Sequence, residues 1–526
     1  MMLAIVVVAT AAATPTSEAR QGGTFRIAFQ GLDYIDPALS YSSQGWALLD
    51  TTCARLMAYP DKPPPAGFRL VPEVAVDFPK ISRNGKTYTF TLRSGFRFSD
   101  GTPVRASAFA RAINRTLAPG IRSAAQQYTQ DIAGAADVQA GKTQTAAGVV
   151  AQGNGLVVRF TRPVPDFAAM TTMPFFCAVP PTLPADPEGV GAFPAAGPYF
   201  VSEYRPGERV VLRRNRFYGG KRPHLVDGFE ADLRATSVTE VLDRVERGDA
   251  DWGGAGAPEY FEPGRGLAAK YGVNRSQFFV KPGLILNALY FNTSRGLFGN
   301  NPRLRRAVNF ALNRRALARL VSASSLDRRV TDQYLPPGLP GFRDADVYPL
   351  ERANLSKARA LARGTTQGGK AVFYVPDLPQ PLAFAQLIKR QLAAIGLEVE
   401  LEAIPPRSLG GRLQAEGERW DLTLSLWVPD YLDPYAYINL LLDGRFVPGT
   451  NLARFDSPKY NRLMRQAGRL RGQDRYRAYG ELDVRLAREA APLAALSFFN
   501  EPTLVSKRVG CVVLRPVLDL TAACLK

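Results

Sequence analysis

The sequence predicts an α/β fold that is divided into more than one packing unit. Its 526 residues exceed what a single hydrophobic core normally contains. Segments that alternate apolar and polar residues dominate the first half of the chain, whereas helical and strand patterns alternate in the second half. The final segment returns to short strand patterns, so we expect the chain to end in the unit in which it began.

Strand and turn patterns fill the first half. GGTFRIAF predicts a strand, and the following DYIDPALSY predicts a turn into a helix that Asp36 caps and Pro37 begins. Two hairpins are predicted, one turning at Asp100-Gly101 and the other at Arg205-Pro206-Gly207.

The second half carries clearer helix signals. After Gly283, LILNALYFNTS predicts a strand, and one helix is expected to begin at Pro302 behind the cap Asn301, with its Arg residues on a solvated face. Another helix is predicted to end at Gly396 and to lead into a strand. DLTLSLW predicts a further strand, and residues 458–486 have helical patterns.

The chain is strongly basic, with a formal net charge of +19 from 66 Lys and Arg against 47 Asp and Glu. These cations are scattered among acids and form no basic blocks. An Arg-rich solvated surface is therefore preferred to a surface for nucleic acid, anionic membrane or acidic ligands, and we predict no nucleic-acid partner.

Most enzyme chemistries lack the residues that they require. His224 is the single histidine, which leaves a Ser-His-Asp triad or a His-based metal site with one imidazole. NGKT and AGKT lack the earlier Gly of a phosphate loop, and GGAGAPE lacks the third Gly of a dinucleotide turn. We predict neither a cofactor nor a metal, and only a hydrolase with paired carboxylates remains as an enzymatic alternative.

Residues 1–20 have the pattern of a secretory signal peptide. Their apolar run is too short to cross a bilayer, and small residues lead to a cleavage site that ends at Ala19. The alternative is a buried amino-terminal strand. The signal pattern predicts an exported protein. No Cys follows the apolar run, which argues against an amino-terminal lipid anchor.

Four cysteines suit an exported protein with two disulfides, although four reduced thiols are the alternative. Three pairings are open to them. The short loop between Cys511 and Cys524 favours that pair, which leaves Cys53 with Cys177.

The segment WVPDYLDP, Trp427 to Pro434, raises the central functional question. Asp433 directly precedes Pro434 and an apolar helical pattern, which predicts a helix cap. Asp430 has no such role, and it follows a strand at its carboxyl end, where ligands of α/β folds collect. Asp430 is therefore a candidate binding residue, with a second turn residue as the alternative.

Nine stretches that run in order along the chain are informative together. They are GGTFRIAFQGLDYIDPALSY, LVPEVAV, YTFTLRSGFRFSDGTPV, AAGPYFVSEYRPGERVVLRRNRFYGG, VLDRVERGDADW, LYFNTSRGLFGNNPRLRRAVNFALNRRAL, LPPGLPG, LAAIGLEVEL and WVPDYLDP. Their order resembles the oligopeptide, dipeptide and nickel branch of the solute-binding proteins that serve ABC importers. One departure is RASAF, Arg105 to Phe109, where the family usually has a Thr-Ala-Glu-Asp-Val type of sequence, so this helix should be weakly capped.

The resemblance implies a bilobal fold of the large type II periplasmic-binding-protein class. A first lobe at 21–277 would contain an extra subdomain at about 67–193, a second lobe would occupy 278–487, and 488–526 would return to the first lobe. Ligand would bind between the lobes, and the closed form would dock on the permease subunits in the membrane. We expect a monomer in the periplasm or on the outer face of the cytoplasmic membrane.

The resemblance also implies roles for single residues. Asp430 would hold the α-ammonium group of a peptide, and Trp427 would form a pocket wall, unless it is a core residue that closes the sheet. Backbone groups of Val428 would pair with an extended peptide, next to Pro429, which has no N–H. Four further candidate ligand contacts are Tyr431, Tyr41, Gln44 and Trp46.

The leading hypothesis is thus a non-enzymatic peptide-binding subunit of an importer. A second is the same role for an opine, an oligosaccharide or an antibiotic-like compound, because one fold hosts several ligands. A third is a hydrolase that uses Asp430 and Asp433 as its two acids. Nickel binding is disfavoured, because a single histidine offers little for a protein-ligated metal site.

Overall fold

The structure is a computed structural model that describes residues 21–254, 258–322, 324–366, 368–515 and 518–526. The predicted signal peptide lies outside these residues. The strands are β1 (Thr24–Ala28), β2 (Met57–Ala58), β3 (Val71–Pro72), β4 (Lys80–Ile81), β5 (Thr87–Thr91), β6 (Val149–Gln152), β7 (Gly155–Arg159), β8 (Tyr199–Arg205), β9 (Arg209–Arg214), β10 (Gly228–Asp232), β11 (Phe278–Phe291), β12 (Arg328–Val330), β13 (Lys370–Pro376), β14 (Glu398–Ile404), β15 (Leu422–Trp427), β16 (Leu493–Leu504), β17 (Val509–Cys511) and β18 (Cys524–Leu525).

Helices are concentrated in the second half of the chain. They are α1 (Ser43–Thr52), α2 (Ala106–Leu117), α3 (Gln126–Thr129), α4 (Ala135–Gln139), α5 (Phe167–Met170), α6 (Val238–Arg247), α7 (Leu267–Tyr271), α8 (Pro302–Ala311), α9 (Arg314–Val321), α10 (Leu355–Ala362), α11 (Pro379–Ala393), α12 (Pro406–Gln414), α13 (Pro434–Leu442), α14 (Pro458–Arg469) and α15 (Gly472–Arg485). Among the residues described, no helix combines the length and the apolar character needed to cross a membrane.

Three sheets organise the molecule. The first has the order β1-β10-β9-β8, with β1 parallel to β10. The second has the order β4-β5-β7-β6 and is antiparallel throughout. The third is mixed, with the order β12-β16-β11-β15-β13-β14 and parallel pairing of β13 with β14 and with β15. This mixture of sheets and covering helices confirms the predicted α/β class.

Two long strands connect the cores of the first and third sheets. Phe278 on β11 and Leu504 on β16 lie in a core cluster with Ala28 and residues of α6, whereas Leu289 and Ala494, further along the same strands, lie in the core of the third sheet. The pairing of β11 with β16 shifts register between residues 282 and 286. The two strands thus form a paired connection between two packed bodies, and the bilobal fold is confirmed.

Several local predictions are confirmed by caps and turns. The Asn301 side chain accepts a hydrogen bond from the Leu304 N–H at 3.1 Å, and α8 begins at Pro302. Gly396 has a φ of +75°, a conformation that favours glycine, and separates α11 from β14. The hairpin of β8 and β9 forms as expected, and Arg105, which precedes α2, makes no side-chain capping bond.

The predicted single helix after Asn301 is wrong, because α8 ends at Ala311 and α9 begins at Arg314. Asn313 caps the second helix by accepting from the Ala316 N–H at 2.9 Å. The predicted solvated Arg face is also wrong for Arg305 and Arg314, which are buried. The Arg305 guanidinium donates to the Ala490 carbonyl just before β16, and the Arg314 guanidinium donates to the Ala495 carbonyl on β16. These cations therefore hold α8 and α9 against β16 and the residues that precede it.

Asp36 does not begin a helix, since residues 37–39 form a turn and α1 starts at Ser43. Its buried carboxylate instead pairs with both terminal nitrogens of Arg115 on α2, at 2.9 and 2.6 Å. The hairpin at Asp100-Gly101 is present but short, with an antiparallel bridge between Arg97 and Pro103, whereas β5 pairs with β4 and β7.

The four cysteines form the two disulfides that the sequence favours. Cys53 is bonded to Cys177, across 124 residues, and Cys511 is bonded to Cys524, across 13 residues. The first bond ties the end of α1 to the short helical turn Pro174–Phe176. The second closes the carboxyl-terminal segment around the pairing of β17 with β18.

Candidate ligand-binding site

A cavity of about 540 Å³ lies beside the paired strands β11 and β16, where they pass from one body to the other. Its wall combines α1 and the segment before it, the turn at 172–174, the middle of β11, the loop after β15, and residues 515 and 518–519. These segments are far apart in the sequence, and packing of separate units brings them together. Enclosure between two bodies is typical of small-solute sites.

The loop after β15 supplies the polar centre of the cavity. Strand β15 ends at Trp427, opposite Leu286 of β11, and α13 begins at Pro434. Asp433 caps α13 by accepting from the Tyr435 N–H at 2.8 Å. The predicted cap is therefore confirmed, and the residues between strand and helix are held at the cavity wall.

Asp430 lies in this loop and lines the cavity. Its carboxylate accepts hydrogen bonds from the hydroxyl of Tyr41, at 2.9 Å, and from the hydroxyl of Tyr128. Burial raises the pKa of Asp430, and the two hydroxyl donors oppose that rise. In the part of the chain that the structure describes, no Lys or Arg nitrogen lies within 4 Å of this carboxylate. Asp430 therefore offers an acceptor whose negative charge no cation neutralises within that part of the chain.

The neighbouring acid Asp433 has a different environment. Both of its oxygens accept hydrogen bonds from Arg475, at 2.9 Å each, and the pair is buried. Together with the cap on α13, this pair commits Asp433 to holding the loop in place.

Tyr431 and Trp46 form aromatic walls. Tyr431 is buried and lines the cavity, and its hydroxyl donates to Asp166 behind the wall. Burial raises the pKa of Asp166 to about 6, and the Tyr431 hydroxyl opposes that rise. Trp46 also lines the cavity, donates from its indole nitrogen to the Ser40 carbonyl at 2.8 Å, and packs edge-on against Tyr41.

The other candidate residues occupy different positions. Val428 is 56% exposed and lines the cavity, and its backbone lies beyond the last paired residue of β15. Trp427 and Gln44 are not among the residues that line the cavity in this conformation. Trp427 packs beside the core that includes Tyr431, and its indole nitrogen has no hydrogen-bond partner within the described residues.

A charged floor completes the cavity, and sequence reasoning missed it. Asp50 forms ion pairs with Arg55 at 2.7 Å and with Arg515 at 3.3 Å, while Arg515 also lies 2.9 Å from Asp519. Burial opposes ionisation of Asp50, but the surrounding guanidinium groups hold its pKa below the usual range. Burial raises the pKa of Asp519 to about 6, against the effect of Arg515. Asp50 with Arg55 and Arg515 with Asp519 come from opposite ends of the sequence, so no local motif contains all four.

Glu501 on β16 is a further cavity residue that sequence reasoning missed. It is 9% exposed and lies beside Gly283, where an added Cβ would come within 3.2 Å of the Glu501 Oε1 atom. No cluster of metal-ligating side chains occurs among the described residues.

An α/β chain with two packed bodies, a paired strand connection and a cavity at their junction defines the class of two-lobed ligand-binding proteins. Within that class, the chain belongs to the bacterial extracellular solute-binding proteins, family 5, whose family model matches residues 69–447. The family confirms the resemblance found in the sequence.

Similar proteins cover most of this chain. The probable D,D-dipeptide-binding periplasmic protein DdpA of Escherichia coli (strain K12) is 24% identical over 501 residues, which cover 92% of this chain and 90% of DdpA. The periplasmic oligopeptide-binding protein OppA of the same strain is 25% identical over 468 residues, which cover 84% of this chain and 81% of OppA. The solved structure of clavulanic acid biosynthesis oligopeptide binding protein 2 superposes with a TM-score of 0.82 at 25% identity and covers 96% of both chains.

Proposed function

We propose that this protein captures a short peptide in the cavity and delivers it to the permease subunits of an ABC importer. The observation that carries the proposal is Asp430, a partly buried carboxylate that two tyrosine hydroxyls orient while no cation neutralises it among the described residues. A peptide's α-ammonium group supplies both the missing charge and hydrogen-bond donors. The names of similar proteins, which refer to dipeptides and oligopeptides, support the same choice.

The loop around Asp430 suits an extended ligand. The ladder between β11 and β15 stops at Trp427, so the Val428 main chain is available to pair with a peptide as one strand pairs with another. Tyr431, Trp46 and Tyr41 provide apolar and aromatic surface for side chains. Trp427 and Gln44 would reach the ligand only after the two bodies move towards each other.

Asp430 and Asp433 do not resemble a catalytic carboxylate pair. Asp433 is held by Arg475 and by the cap of α13, so it has no lone charge to offer a substrate. This arrangement supports a binding role rather than hydrolysis. In the proposed role the protein acts as a monomer, in the periplasm or on the outer face of the cytoplasmic membrane.

A thermal-shift screen tests the proposal. Refolded, ligand-free protein is heated with short peptides, each offered with a free and with an acetylated amino terminus. A ligand at about a hundred times its Kd stabilises the folded protein by roughly 2.7 kcal/mol, which raises the unfolding midpoint. We expect shifts that disappear on acetylation. An absence of shifts with every peptide would contradict peptide binding and favour a non-peptide solute.

A further inference from the structure

Glu501 is a second acid in the cavity wall whose charge the structure leaves unmatched. It lies on β16, at the connection between the two bodies, and is 9% exposed. Its side chain lines the same cavity as Asp430. In the described residues its carboxylate has neither a hydrogen bond nor an ion pair within 4 Å. A buried carboxylate without a partner is costly, so a ligand group is the natural candidate to complete it.

The groups around Glu501 do not neutralise it. Lys281 is its cross-strand neighbour on β11, but their charged atoms are not within 4 Å, and Lys281 lines a separate cavity with Arg315 and Arg328. Tyr260 is close enough that the charge of Glu501 contributes to raising its pKa, after burial and after Glu259. The Tyr260 hydroxyl, however, donates to the Gly253 carbonyl at 2.8 Å.

The charge balance of the cavity wall points in one direction. Both cations of the described wall, Arg55 and Arg515, are already paired with acids of the floor. Asp430 and Glu501 are the acids of that wall without a cation. The wall therefore presents two uncompensated acceptors and no uncompensated cation, which favours a ligand with two cationic groups over an acidic one.

We propose that Glu501 binds a second cationic group of the ligand, so that the preferred solute is a short peptide with a free amino terminus and a basic side chain. This inference rests on the proposed function, since Asp430 takes the α-ammonium group and Glu501 takes the side-chain cation. Burial raises the pKa of Glu501 to about 7, and a bound cation would favour its charged form.

Isothermal titration with matched tripeptides tests this assignment. Three peptides place Lys at the first, second or third position of an Ala tripeptide, and norleucine or Nε-acetyl-lysine replaces Lys in the matched peptides. At pH 8 we expect at least one Lys peptide to bind about tenfold or more tightly than its norleucine match, a difference of about 1.4 kcal/mol. Acetylation of the Lys side chain should remove the preference without any change to the protein.

Variants then locate the preference. Glu501→Gln should lower the affinity for the Lys peptide to about that for the norleucine peptide. Binding of the neutral peptides should be retained, which also shows that the variant is folded. Glu203→Gln on β8, a partly exposed acid outside the cavity, is the control and should keep the preference. Lys281→Met should keep the preference for the Lys peptide as well, because Lys281 forms no ion pair with the Glu501 carboxylate.

The outcomes separate this inference from the proposed function. If neutral and Lys peptides bind equally well and Glu501→Gln has no effect, the second cationic site is overturned and peptide binding stands. If no peptide binds but 1,5-diaminopentane does, and Glu501→Gln weakens it, the cationic site stands and the peptide proposal fails. If neither peptides nor the diamine bind, both are overturned.

Discussion

The Tyr41 hydroxyl donates a hydrogen bond of 2.9 Å to the Asp430 carboxylate, although 389 residues separate the two in sequence. Tyr128 donates to the other oxygen of the same carboxylate. Neutral donors fix the position of the acid and leave its charge for a ligand. The fold thus brings Tyr41 and Tyr128 to Asp430 from distant parts of the sequence, so no local motif contains the whole binding group.

Tyr128→Phe should move the pH at which peptide binding is lost. The hydroxyl of Tyr128 favours the charged form of Asp430 and so opposes the effect of burial. Without it, the pKa of Asp430 rises further, and on acidification the carboxylate is protonated at a higher pH. Titration of a free-amine peptide between pH 8 and pH 4 should show the loss of affinity at higher pH than in the wild type. Tyr204→Phe, outside the cavity, serves as the control, and an unchanged profile in Tyr128→Phe would contradict this role.

Arg475→Met should destabilise the fold strongly. It leaves the buried Asp433 carboxylate without its cation, and breaking such a pair costs about 3 to 5 kcal/mol. Chemical denaturation measures the loss. Replacing both residues, as Arg475→Met with Asp433→Leu, should recover part of it, since no charge then remains buried. A stability equal to that of the wild type in the single variant would show that the pair contributes little.

Removal of the two disulfides should have unequal effects. In the chain-entropy account, a longer closed loop restricts the unfolded chain more, so losing Cys53–Cys177 should cost roughly 2 kcal/mol more than losing Cys511–Cys524. Double Ser variants of each pair, unfolded in denaturant, provide the comparison. Equal losses, or the reverse order, would argue against this account.

Glu501→Gln should stabilise the ligand-free protein at high pH. The pKa of Glu501 is raised by burial from 4.5 to about 7 in the folded state. The favourable contribution of the protonated form is present below pH 4.5 and is lost as pH rises through about 7. Relative to the wild type, the variant should therefore gain stability between pH 4.5 and pH 8, by about 3 kcal/mol at most. Denaturation of the wild type and the variant at pH 4.5 and at pH 8 tests this, with Glu203→Gln as the control. A stability difference between Glu501→Gln and the wild type that is the same at both pH values would contradict it.

Local chemistry made part of the fold predictable. Asn301 with Pro302, Gly396, and Asp433 with Pro434 each carry their structural role in one or two adjacent residues. The hairpin of β8 and β9 was equally predictable, because its signal depends only on near neighbours in the chain.

Long-range contacts account for the errors. Asp36 has the sequence context of a cap, but its carboxylate is taken by Arg115, 79 residues away. Arg314 has the context of a solvated residue, yet it reaches a carbonyl of β16. The floor of the cavity and Glu501 could not be predicted from sequence. Whether each of these charged side chains is paired depends on which other charges the packing of distant segments places beside it.

The central claim is that Asp430 binds the α-ammonium group of a peptide, and a calorimetric cycle tests it most directly. One peptide, with free and with acetylated amino terminus, is titrated into the wild type and into Asp430→Asn. We expect acetylation and the substitution each to lower affinity by on the order of a hundredfold or more, and together to lower it little further. A folded Asp430→Asn variant that binds the free-amine peptide as tightly as the wild type does would contradict the claim.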